Sequence, residues 1–109
     1  MGAGRVTDVC PATLDRLIVA FCADYSRRSC AVAENSVSMR TEMEYKYLNH
    51  RIFEGAAEIV GSRLAELFID EIGRNVGYVN SAHPASCEAS YKSEKRAVKL
   101  SIARKLHLL

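Results

Sequence analysis

Few residues in this 109-residue chain are equipped for covalent chemistry. Cys87 follows a proline-containing loop and precedes apolar residues at helical spacing, which places it near a helix N-terminus. There the backbone dipole favours the thiolate, the nucleophilic form of cysteine. His83, four residues upstream, is the base within reach. A nucleophile and a base become a catalytic pair only with a group that orients the base and donors that receive an oxyanion. The sequence around Cys87 offers neither, so the pair reads as a cysteine behind a helix cap and the chain as a non-enzyme.

Metal chemistry is no better supplied. Cys10, Cys22 and Cys30 form no CxxC pair and have no ligand-like spacing with His50, His83 or His107. Acidic residues pair as Glu42/Glu44, Glu54/Glu58 and Asp70/Glu71, and all are expected on solvated faces. Glu54 and Glu58 share a helix face, but no histidine follows at the Glu-x-x-His spacing of di-metal bundles. Gly2-Ala3-Gly4 has no strand before it and is not a phosphate loop. Neither a metal nor an organic cofactor is expected.

Charge distribution is more informative. Residues 1–85 carry nine Lys/Arg and eleven Asp/Glu, whereas residues 86–109 carry six Lys/Arg and two Glu, a net of −2 against +4. Such asymmetry points the C-terminal segment towards a polyanion. Arg27-Arg28 is a second candidate for phosphate, or a complement to the dipole at the end of a helix.

The elements that position these residues follow from periodicity. Apolar residues make up 49% of the chain and charged ones 26%, which suits a globular domain rather than a disordered one. Residues 1–12 read as a flexible lead-in, and 13–109 as one domain of four helices. The first covers about 14–34, capped by Thr13, with Leu14, Leu17, Ile18, Phe21, Tyr25 and Val32 on its apolar face. A second covers 42–60, opened by a Thr41/Glu44 capping box and striped by Tyr45, Leu48, Ile52, Ala56 and Ile59. Gly55 inside it costs about 1 kcal/mol relative to Ala, and Gly61 ends it. The third, 63–73, begins after Ser62 and carries Leu64, Leu67, Phe68 and Ile72. A loop with Tyr78 and Pro84 leads to the fourth, 87–107, capped by Ser86 and held down by Tyr91, Val98, Ile102, Leu106 and Leu109. The fold class is therefore all-α, with a helix-turn-helix-like C-terminal pair. The longest apolar run, Leu17 to Ala23, is far short of a membrane span. With no apolar leader at the N-terminus, a cytoplasmic protein with reduced, buried or inert thiols is expected.

Recognition helices present their N-terminal residues to base edges and use flanking Lys and Arg for phosphates. By type, Ser86, Glu88, Ser90, Lys92 and Ser93 suit the first role, and Lys95, Arg96 and Lys99 the second, with Ser90, Lys92, Lys95, Arg96 and Lys99 facing outward. Ser90-Tyr91, Lys95-Arg96 and Ala103-Arg104-Lys105-Leu106-His107-Leu108 follow an aromatic turn, Ile72 to Tyr78. This order resembles the C-terminal region of the ArpU-like phage regulators. Those proteins end in Ser-x-x-Thr-(Phe/Tyr)-Tyr-Arg-x-Lys-Arg and then Ala-(Lys/Arg)-(Lys/Arg)-Leu-x-Leu. Cys87 stands where the family has its Ser cap, and Lys92 and Ser93 replace its second aromatic and its Arg. The resemblance implies a transcriptional regulator of phage or mobile-element origin that binds double-stranded DNA. The competing expectation is a helical module that binds another protein or itself as a homodimer, through the stripes of the first two helices.

Overall fold

The computed structural model describes residues 11–82 and 87–109. Five α-helices and one short 3-10 turn make up the fold, with no strand among the described residues. The protein is a small all-α domain. None of its described helices is long and apolar enough to cross a membrane. Of the expected lead-in over 1–12, residues 1–10 lie outside the described residues, as does the Ser86 cap, and Pro11 and Ala12 are helical.

Helix α1 runs Pro11–Ala23 and α2 Tyr25–Ala33. Proline is tolerated in a first turn, where its missing N–H has no partner to lose. The helix thus starts ahead of Thr13, which is helical rather than a cap. Asp24, at φ −92° and ψ 1°, divides what the periodicity predicts as a single helix. Beyond α2, Asn35 takes a left-handed φ of 53° and the Ser36 amide reaches back to the Ala31 carbonyl.

Helix α3, Met39–Val60, opens at Ser38, whose hydroxyl accepts from the Thr41 amide at 3.2 Å. The cap is three residues upstream of the expected one, and Thr41 and Glu44 lie within the helix. Gly61, at φ 85°, closes α3 and immediately precedes α4, Ser62–Gly73, so Ser62 is helical and not a cap. The 3-10 turn Tyr78–Asn80 interrupts the long connection to α5, Glu88–Lys105. Helix α5 ends two residues before its expected end, because His107 adopts φ 61° and the Leu108 amide bonds the Ala103 carbonyl.

The core draws Ile18 and Cys22 from α1, Ile52 and Ala56 from α3, Phe68, Ile69 and Ile72 from α4, and Tyr91, Val98 and Ile102 from α5. Helix α3 is central: it packs most extensively on α5 and next on α4, while α1 covers α4. A Cβ on Gly55 would lie 2.8 Å from the Ile102 Cα, so the two longest helices cross with their backbones touching there. Gly73 likewise admits the backbone of Ala23, 2.7 Å from where its Cβ would stand. Ile59, expected on the core stripe of α3, is exposed.

Helix α2 packs on the first half of α3. Between Tyr25 and Arg51 no apolar side chain is fully buried, so this two-helix arm stands outside the core. The molecule is flat, 42 × 40 × 21 Å. Its radius of gyration, 14.5 Å, exceeds the value of about 13 Å usual for this length.

Candidate nucleic-acid interface

The placement of α5 depends on a residue that sequence reasoning assigned to solvent. Glu71 is 1% exposed. Its carboxylate accepts from the Ser81 hydroxyl at 2.6 Å, the Ala82 amide at 2.8 Å and the Tyr91 hydroxyl at 2.9 Å. A buried carboxylate is tolerable only when hydrogen bonds replace its lost hydration. Here they tie α4 to the loop and to the first turns of α5. Helices α4 and α5 are thus paired through a carboxylate and a long connection, 74–87, rather than through the three- or four-residue turn of a helix-turn-helix unit. Tyr78 packs against Tyr91 with the rings tilted by 51° and their centroids 5.9 Å apart, which anchors the loop from its apolar side. Burial and the bond to Glu71 both push the Tyr91 hydroxyl above its ordinary pKa.

The first turns of α5 divide cleanly. Tyr91 is buried, while Glu88, Ala89, Ser90, Lys92 and Ser93 are exposed. Lys92 pairs with Glu88 at 2.9 Å across one helical turn. Ser93, Arg96, Leu100 and Arg104 continue the exposed ridge at spacings of three and four.

Two expected outward-facing cations are committed elsewhere. Lys95 donates to the Val76 carbonyl at 2.6 Å, with its ammonium 5.6 Å from the Tyr91 ring centroid. Burial, assisted by nearby Lys99, lowers its pKa. Lys99 bonds the Asp15 carboxylate at 2.7 Å and fastens α5 to α1. Both stems are long enough to bury their methylenes while the heads find protein oxygens, which residue type alone does not disclose. Of the three phosphate candidates, Arg96 alone is exposed.

The other candidates also separate. Arg28 is buried, donating to the Asn49 side chain at 2.7 Å and to the Phe21 carbonyl at 2.6 Å, beside the break at Asp24. It is a structural clamp rather than a phosphate ligand. Its neighbour Arg27 is exposed and pairs with Asp24. Cys22 is buried, and desolvation pushes its thiol up to about 12 against the pull of Arg28 and Lys99. Cys30 and Cys87 are exposed, so of the expectation of buried or inert thiols burial holds for Cys22 and not for these two. The Cys87 thiol lies 3.4 Å from the Ser90 hydroxyl, and His83 falls outside the described residues.

No protein-family model, curated protein or solved structure matches the chain.

Proposed function

We propose that the protein is a DNA-binding regulator of the phage or mobile-element type implied by the ArpU-like resemblance, and that it meets double-stranded DNA with the outer face of α5. One observation carries this reading: Ser90, Lys92, Ser93 and Arg96 are exposed on the first turns of a helix held from behind by buried Tyr91. Short hydroxyl side chains allow close approach to base edges, and the flanking cations neutralise phosphates. Arg104 extends the cationic ridge. Glu88 holds Lys92 in a solvent-exposed pair, and such a pair is worth at most about 1 kcal/mol. A phosphate can therefore replace Glu88 at little cost, which frees its carboxylate for a cytosine amino group. Lys95 and Lys99 brace the helix and take no part in binding.

The test is fluorescence anisotropy of a mixed-sequence duplex pool titrated with the protein at several salt concentrations. Replacing both Lys92 and Arg96 with Ala should weaken binding and reduce the slope of log K against log salt by about two, one for each phosphate no longer neutralised. Lys95→Ala should leave that slope unchanged and lower thermal stability instead. Absence of binding by the wild-type chain would reject the reading.

A further inference from the structure

The arm formed by α2 and the first half of α3 leaves an apolar row that no other described helix covers, with the Arg51 guanidinium 5.6 Å from the Tyr47 ring centroid at its end. Met39, Met43 and Tyr47 follow one another at intervals of four, so they stack along one face of α3. They are 79%, 66% and 52% exposed. A second row, Arg40, Glu44 and Leu48, runs beside the first. Between them lies an open groove of about 430 Å³ lined by Met43, Glu44, Tyr47 and Leu48. Two parallel ridges with a groove between them form the surface onto which another helix packs.

We infer that this face is a self-association surface, whose occupant is the same face of a second copy of the chain. Its charges are what single out that partner. Arg40 and Glu44 are both exposed, and neither enters an ion pair among the described residues. Within one helix they stand in the less favourable order, with the cation N-terminal to the anion. Their neighbours are already neutralised: Lys46 by Glu42 at 2.9 Å, and Arg51 by Glu54 at 3.0 Å. Arg40 and Glu44 are equidistant from Glu42 in sequence. A two-fold axis near that residue runs the second α3 antiparallel to the first. It lays the methionine rows together and sets each Arg40 opposite the other copy's Glu44, so one self-complementary patch satisfies both charges twice. Three side chains and their rims fall short of the roughly 800 Å² per partner of a standard interface. The dimer is accordingly reversible, with a dissociation constant in the micromolar range.

Sedimentation equilibrium of the full chain, run without DNA, tests this independently of the DNA reading. The mass should rise with concentration from the 12.1 kDa of the monomer towards twice that value. Met43→Glu should raise the dissociation constant at least about tenfold, and its exposed position leaves the core intact, as a circular dichroism spectrum would verify. Arg40→Glu and Glu44→Arg should each weaken the dimer by placing like charges opposite, and the double exchange should restore it. A mass fixed at 12.1 kDa up to millimolar protein, association indifferent to Met43→Glu, or a double exchange that fails to rescue would each overturn the inference.

Discussion

Removing the Glu71 carboxylate would take one acceptor from the Ser81 hydroxyl, the Ala82 amide and the Tyr91 hydroxyl at once, since all three donate to it. Each bond to a charged acceptor contributes about 1.5–3 kcal/mol, and an orphaned buried donor costs a comparable amount. Glu71→Ala should therefore lower the urea-unfolding free energy by about 3 kcal/mol or more. Tyr91→Phe should lower it by about 1–2 kcal/mol, and the double variant should cost less than the sum, because the two residues share one network. A sequence signal for Glu71 did exist. It falls between Phe68 and Ile72 on the apolar stripe of α4, whereas Asp70 beside it is exposed and bound to Arg74 at 2.7 Å. Adjacency to Asp70 made the pair look like one wet cluster, although one residue's step around a helix separates core from solvent. Lys95 and Lys99 were illegible for a different reason: their acceptors, Val76 and Asp15, lie on other elements.

Among the elements, helix existence was readable and helix ends were not. The helical spacing of Leu64, Phe68 and Ile72 at intervals of four, or of Tyr91, Val98 and Ile102 at seven and four, reflects packing against a core and survives in the sequence. Ends depend on which of several capping residues wins. Ser38 and Thr41 are both competent, and Ser38 prevails with Thr41 as its amide donor. The break at Asp24 carries no proline or glycine to announce it. Gly55 looked like a penalty in its helix, yet it is what lets α3 and α5 touch. Gly55→Ala would gain about 1 kcal/mol of helix propensity. It would also press a methyl group against the Ile102 backbone at 2.8 Å, where overpacking typically costs about 1–3 kcal/mol. A net loss of stability is expected in thermal melts. The opposite sign would mean that the two helices can separate at no cost.

For the molecule as a whole, two buried or half-buried acids, with Tyr91 beside them, make stability fall in alkali. Burial pushes the Cys22 thiol from 9.0 to about 12, and burial with the neighbouring Glu66 pushes the Tyr25 hydroxyl from 10.0 to about 12. Both pKa values are raised by folding, so the folded chain keeps protons that the unfolded chain releases. Their contribution is complete below pH 9 and is lost as pH rises towards 12. The Cys22 contribution to the urea-unfolding free energy should fall above pH 9, by at most about 1.4 kcal/mol per pH unit. Cys22→Ala should remove most of that early decline. In the native state a thiol reagent should modify Cys30 and Cys87 readily and Cys22 only on unfolding.

The arm of α2 and early α3 has one further consequence, in time rather than in space. Its two helices are joined by the Asn49 side chain, which accepts from Arg28 and donates to the Tyr25 carbonyl, and it has no fully buried apolar residue of its own. Its free energy of opening must then lie well below that of the core around Ile52, Phe68 and Ile102. Amide hydrogens from Tyr25 to Leu48 should exchange with deuterated solvent as one early cooperative group, while those of α4 and α5 wait for global unfolding. That sets a clock for the arm separate from the one that governs the face of α5.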